Sequence, residues 1–140
     1  KRRGLGMNVF RLSIYAADHV FYEGMCESVT VPTVSGQIGI WANHRSLISA
    51  IVPGRLSFRT QDKEEVVAAV AEGLVKVEKN EVLVLVGSAE RPEDIDLNRA
   101  IQDAEEAKEE LLQKRGMVEG GLARGSLARA LNRMKIKGGQ

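Results

Sequence analysis

The sequence predicts a β-sandwich followed by an antiparallel two-helix hairpin, a mainly β chain with an α tail. Three observations carry that prediction. Short segments between Met7 and Ser88 alternate apolar and polar residues with the period of two that a half-buried strand requires. Turn-forming residues separate those segments. After Arg91-Pro92 the apolar period changes to threes and fours, which is helical. At 140 residues the chain fits one domain of ordinary size with a small appendage.

The strand signals run in order. Phe10, Leu12 and Ile14 alternate with Arg11 and Ser13, and Val29 and Val31 repeat the pattern until Pro32 ends it. Leu56 and Phe58 do so again. Val82–Val86 is a continuous apolar run, which reads as a strand covered on both faces. Asp18, Gly24, Ser35-Gly36, Pro53-Gly54, Gly73 and Lys79-Asn80 are the expected turns. Eight to ten short strands so punctuated imply an antiparallel sandwich or barrel.

In the second part Leu97, Ala100, Ile101, Ala104, Ala107 and Leu111 form one helical stripe. Asp94 or Asp96 is its expected N-cap. Gly116 marks the predicted end, and Gly120-Gly121 are expected in the turn. A second stripe runs through Leu127, Ala128, Leu131 and Met134. Domain limits follow: a basic extension or remnant over 1–6, a sandwich over 7–92 and a helical hairpin over 93–140.

Charge and composition exclude several classes. The net charge is +1, and three positive charges sit in Lys1, Arg2 and Arg3, so the body is slightly acidic. That lacks the concentrated positive footprint of a nucleic-acid binder. No apolar run reaches a membrane span, so the expectation is a soluble chain. Cys26 is alone and no Cys/His cluster exists, so neither a disulfide framework nor a zinc site is expected. A hydrolase built on Cys26 with His19 or His44 finds no support in the spacing.

The hairpin is electrically divided. Glu90–Glu110 carries nine acids against three bases, and Gln113–Lys137 seven bases against one acid. Gly125 inside the second helix costs about 1 kcal/mol relative to Ala, and its apolar contacts are small. A weakly docked, movable helix is the expectation. Asp96 and Arg99 share a helix face, as do Arg129 and Arg133, and in an antiparallel hairpin the second face can lie opposite the start of the first helix. No phosphate-cradling Gly-rich loop occurs, so no nucleotide hydrolysis is expected.

The element Ser35-Gly36-Gln37-Ile38-Gly39-Ile40, followed by His44, Leu47-Ile48 and Pro53-Gly54, resembles the epsilon subunit family of bacterial F-type ATP synthase, called delta in mitochondria. The likeness continues through Gly73, Val82–Val86 and Ile95-Asp96-Leu97-Asn98-Arg99-Ala100, and spans 7–137. It implies a flattened ten-stranded sandwich with two helices, and a non-catalytic rotor subunit on the cytoplasmic face of the membrane, held there only through the complex. It implies that the sandwich binds the gamma subunit and the c-ring, coupling proton-driven rotation to ATP synthesis. It implies that the hairpin extends toward the alpha and beta subunits and inhibits hydrolysis, with Arg124, Arg129, Arg133 and Lys135 meeting beta. By the same resemblance Glu90, Ile95, Asp96, Arg99, Ala100, Arg129 and Arg133 correspond to a regulatory ATP site needing no metal, although Glu105 and Glu106 stand where a relative with a strong site has an Arg. Trp41 and His44 correspond to the end of the sandwich near the c-ring. The alternative is a free-standing ATP-sensing adaptor outside the rotor.

Overall fold

The computed structural model describes residues 8–113 and 117–138, with side chains described over 8–110 and 125–138. The expected extension over 1–6 lies outside them. Two compact units divide between Glu90 and Arg91. Nine strands among the described residues build the first: β1 (Phe10–Tyr15), β2 (Val20–Thr33), β3 (Gly36–Trp41), β4 (Leu47–Ile51), β5 (Gly54–Thr60), β6 (Glu65–Val70), β7 (Gly73–Glu78), β8 (Glu81–Val86) and β9 (Ala89–Glu90). Their hydrogen-bonded order is β9–β6–β5–β2–β1–β8–β7–β4, with β3 also on β2.

Strand β2 turns one ladder into two layers. It is 14 residues long. Val20–Cys26 pairs with β1, while Ser28–Thr33 pairs with β3, and β5 runs along the opposite edge. The register against β5 shifts between Cys26 and Ser28. A bulge bends its strand and sharpens the twist, and at this one the β1 and β3 edges part. Inward side chains from both layers, among them Phe10, Leu12, Ile14, Val31, Ile40, Phe58, Val75 and Val84, form one buried cluster. That is a sandwich core.

Three local expectations change. The β1–β8 pair is parallel, Leu12 opposite Val82 and Ile14 opposite Val84. Turn residues fix the direction only of strands adjacent in sequence, and these two are far apart. Gly24 lies inside β2 opposite Leu12 rather than in a turn. A Cβ there would fall 2.4 Å from the Tyr22 hydroxyl, so the missing side chain makes room for the Tyr22 ring. The run Val82–Val86 is covered on one face only: Val82, Val84 and Val86 are buried while Leu85 is exposed. Lys79 and Asn80 form the expected turn, both in the left-handed region at φ 52° and 61°, as a two-residue hairpin loop of this hand requires. Gly73 opens β7, where a Cβ would lie 1.9 Å from the Leu85 carbonyl oxygen.

The second unit starts with a 3₁₀ turn (Pro92–Asp94) and continues as α1 (Leu97–Gln113) and α2 (Met117–Lys137). Asp96 is the α1 N-cap: its Oδ1 accepts from the Arg99 N–H at 3.2 Å. Lys137 Nζ donates to the Pro92 carbonyl at 3.2 Å, which sets the end of α2 beside the start of α1. The helices are therefore antiparallel, as expected. Gly120 and Gly121 are helical, not a turn, and Gly125 is interior; Gly116 lies outside the described residues. Among the described side chains of this unit Ile95, Ala100, Ala104, Ala107, Ala130 and Ile136 are buried, whereas Leu97, Ile101 and Leu131 are exposed. The predicted stripes contained the right alanines of α1; on α2 the predicted Leu127 and Met134 are half-buried, while Ala128 and Leu131 are exposed and Ala130 and Ile136 are buried instead. Small alanines make up most of the described buried positions, and Leu97, Ile101 and Leu131 beside them are left exposed.

Candidate functional site

The first unit presents an apolar surface where a monomeric sandwich would be polar. On the layer β1–β8–β7–β4, Leu74 stands opposite Leu85 on β8 and Ala50 on β4, and Lys76 opposite Leu83 and Ile48. These side chains alternate with the buried Val75, Val77, Val82, Val84 and Val86, so they share the outer face. Ile48 is 69% exposed, Leu74 49% and Leu85 43%. Ser13 opposite Leu83 and Tyr15 opposite Leu85 continue the face onto β1. The Lys76–Glu78 ion pair, 3.3 Å apart, is part of its polar border. An apolar face rimmed by charge is the composition of a protein-binding surface. The sequence signal was the apolar run over 82–86, read as two-sided burial rather than as one buried and one offered face.

The expected contact pair lies on and after β3. Trp41 is 62% exposed, its ring laid over Gly39, where a Cβ would be 2.6 Å from the indole. A cleft of about 590 Å³ adjoins it, lined also by Ser28, Arg59 and Lys63. His44 is half-buried, and its Nδ1 donates to the Arg45 carbonyl at 2.7 Å. The loop carrying it is pinned by a residue that sequence reading took only as a turn former. Asn80 Oδ1 accepts from the Asn43 N–H at 2.7 Å, and its Nδ2 donates to the Val9 carbonyl at 2.9 Å. One side-chain amide thus ties three segments remote in sequence.

In the second unit the expected nucleotide residues divide. Ile95 and Ala100 are buried, Asp96 caps α1 and Arg99 is exposed on its first turn. Arg129 Nη2 donates to Ser126 Oγ at 3.3 Å. Arg133 Nη1 lies 3.6 Å from Asp103 Oδ2. The α2 arginine therefore meets α1 beside Asp103, beyond the N-terminal turn that the spacing suggested. Lys135 is exposed, and the Arg124 side chain lies outside those described. Glu90 belongs to the first unit, on β9 opposite Ala69. Asp103 was not singled out from sequence, although its spacing of four from Arg99 and seven from Asp96 puts it on their face.

The nucleophile–base arrangement is not formed. Cys26 is buried, its Sγ donating to the Tyr22 hydroxyl at 3.7 Å. Burial pushes the thiol up from its ordinary pKa, and burial together with the Cys26 bond pushes Tyr22 up to about 12. Both groups stay protonated at neutral pH, so Cys26 is no thiolate nucleophile. His19 is paired with Asp18 at 2.6 Å, a bond that lowers the Asp18 pKa. Among the described residues no group of His, Cys, Asp and Glu is arranged to hold a metal ion. No helix there is long and apolar enough to cross a membrane.

Residues 9–92 match the family model described as the ATP synthase delta/epsilon chain beta-sandwich domain, and residues 93–138 the delta/epsilon chain long alpha-helix domain. The ATP synthase epsilon chain of Shouchella clausii (strain KSM-K16) is 38% identical over 130 residues, covering 93% of this chain and 96% of that relative. That of Caldicellulosiruptor bescii is 36% identical over 130 residues, with 93% and 94% covered. In fold the chain is similar to one in the cryo-EM structure of the Euglena gracilis mitochondrial ATP synthase OSCP/F1/c-ring, with a TM-score of 0.79 at 17% identity, covering 93% of this chain and 82% of that one. A chain of the Tetrahymena thermophila mitochondrial ATP synthase central stalk and c-ring gives 0.67 at 14% identity, with 91% and 95% covered.

Proposed function

From the premise that the chain belongs to the delta/epsilon family of ATP synthase chains, we propose that it is a non-catalytic central-stalk subunit of a proton-translocating F-type ATP synthase. The observation that carries this is the outer apolar face of β4, β7 and β8, with Ile48, Leu74 and Leu85 exposed. Leaving such a surface in water is unfavourable by about 25 cal/mol per Å², so it fits permanent association. Its occupant in this reading is the gamma subunit. Trp41 and the His44 loop meet the c-ring, and the subunit is peripheral, on the cytoplasmic face, through the complex alone.

The hairpin is the regulatory part. Extended toward the alpha and beta subunits, its basic α2 offers Arg124, Arg129, Arg133 and Lys135 to an acidic segment of beta, a contact steered by charge and weakened by salt. Folded on α1, it holds ATP as a regulatory ligand between Arg99 and the α2 arginines. ATP bound only to that form stabilises it by linkage, in proportion to concentration over affinity.

The test is ATP hydrolysis by an alpha–beta–gamma complex lacking this subunit, with the full chain or a chain ending at Glu93 added back. Both should bind gamma, and only the full chain should suppress hydrolysis. Ile48→Glu together with Leu74→Glu should abolish gamma binding in both. If neither chain binds gamma, the rotor reading fails and the ATP-sensing adaptor replaces it.

A further inference from the structure

The nucleotide-site residues of the hairpin are not waiting in an empty, uniformly positive cleft. Arg133, whose side chain is 22% exposed, faces the Asp103 carboxylate on α1, itself 44% exposed. Asp103 lies one turn beyond Arg99 and two beyond Asp96, on one face of α1. Asp96 already spends an oxygen on the helix cap. A phosphate reaching Arg99 and Arg133 together must therefore enter beside Asp103, where it meets a like charge and takes over the guanidinium that Asp103 holds.

We propose that Asp103 is a resident competitor for the phosphates at Arg133, setting how much nucleotide the hairpin requires before it is locked down. The inference rests on the nucleotide reading above and deepens it. A carboxylate this exposed does two opposite things. It ties α2 to α1 when no ligand is present, and it repels and competes with a polyphosphate when one arrives. The two roles predict opposite signs for one substitution. If competition dominates, Asp103→Asn strengthens nucleotide binding, because the ligand no longer displaces an anion. If Asp103 is only a tie between helices, the same change loosens the folded hairpin and weakens binding.

The experiment is calorimetric titration of the full chain with ATP and, separately, inorganic tripolyphosphate. Wild type, Asp103→Asn, Asp103→Glu and Arg133→Ala are compared, with far-UV circular dichroism checking that each keeps its helices. Asp103→Asn should bind both ligands about twofold to fivefold more tightly, the range a half-exposed ion pair can hold back. Asp103→Glu, which keeps the charge, should stay within about twofold of wild type. Arg133→Ala should bind more weakly. Unchanged or weaker binding by Asp103→Asn overturns the competitor role and leaves the nucleotide reading standing, whereas wild-type affinity in Arg133→Ala overturns the competitor role and removes Arg133 from the nucleotide site. No binding by any of the chains overturns the nucleotide reading itself and this inference with it.

Discussion

The two units bury different kinds of side chain. The sandwich encloses Phe10, Leu12, Ile14, Ile40, Leu56 and Phe58 with a set of valines, whereas among the described side chains of the second unit the buried ones are Ala100, Ala104, Ala107 and Ala130 with Ile95 and Ile136. Removing a large apolar side chain from water is worth about 1.5–3 kcal/mol, and an alanine methyl less than about 1 kcal/mol. The first unit is thus held by interdigitated bulk, while the described part of the second joins its helices through small side chains and polar ties such as Arg133–Asp103 and Lys137–Pro92. What this teaches is that small buried contacts leave a unit with low opening free energy, whereas large ones do not. If the proposed function holds, the hairpin's hold is comparable to a ligand-binding energy and the sandwich's is not.

The largest expected effect strikes the stronger side of that contrast. Phe58 is buried and stacks at a tilt on Tyr22, ring centroids 4.5 Å apart. Phe58→Ala should cost about 3–5 kcal/mol, read as a shift of the urea midpoint of a chain ending at Glu93. Gly73→Ala comes next. Its Cβ would need 1.9 Å from the Leu85 oxygen, so β7 and β8 must separate locally, at a cost of about 1–3 kcal/mol. A loss below about 0.5 kcal/mol in either variant would mean that the sandwich yields as easily as the hairpin, and the contrast would break.

The same contrast decided what was legible in the sequence. Strand periodicity located the sandwich because Phe10, Leu12 and Ile14 differ sharply from Arg11 and Ser13 in burial free energy. It could not separate a strand covered on two faces from one that leaves Leu85 exposed, because both are apolar. Pairing between β1 and β8 is a tertiary fact with no local signal. In the hairpin the period identified helices and placed the half-buried Leu127 and Met134, yet alanine buries so little area that the exposed Leu131 was read as core in place of Ala130. Glycine misled in the same region: Gly120 and Gly121 carry a turn signal but lie within α2. The Asp96 cap was legible because capping is local chemistry. The Asp103–Arg133 pair was not, because it needed the relative register of two helices.

Asp96→Ala sharpens the weaker side. It removes the acceptor for the Arg99 N–H and should cost about 1 kcal/mol of helix stability. Beside small buried residues such as Ala100 and Ala104 that loss should appear as faster amide exchange along α1, with sandwich amides unaffected. Slower or unchanged exchange would show that tertiary contacts, not the cap, hold the start of the helix.

The smallest effect has the opposite sign. Gly125 is interior to α2, and the nearest atom to an added Cβ is Arg129 Nη1 at 3.4 Å, the far end of a flexible side chain. Gly125→Ala should therefore stabilise the helix by about 0.8–1.0 kcal/mol, seen as added helical signal and slower amide exchange in α2, without change in the sandwich midpoint. A glycine that can be improved so simply is informative if the hairpin is a switch, because the same flexibility that weakens α2 lowers the cost of remodelling it. The variant should then shift the balance between folded and extended forms in whichever direction keeps α2 more helical. Comparing hydrolysis suppression by Gly125→Ala and wild-type chains at equal gamma occupancy reads that direction. Equal suppression would mean that both forms hold α2 equally helical across residue 125, and that the switch lies in how the helices dock.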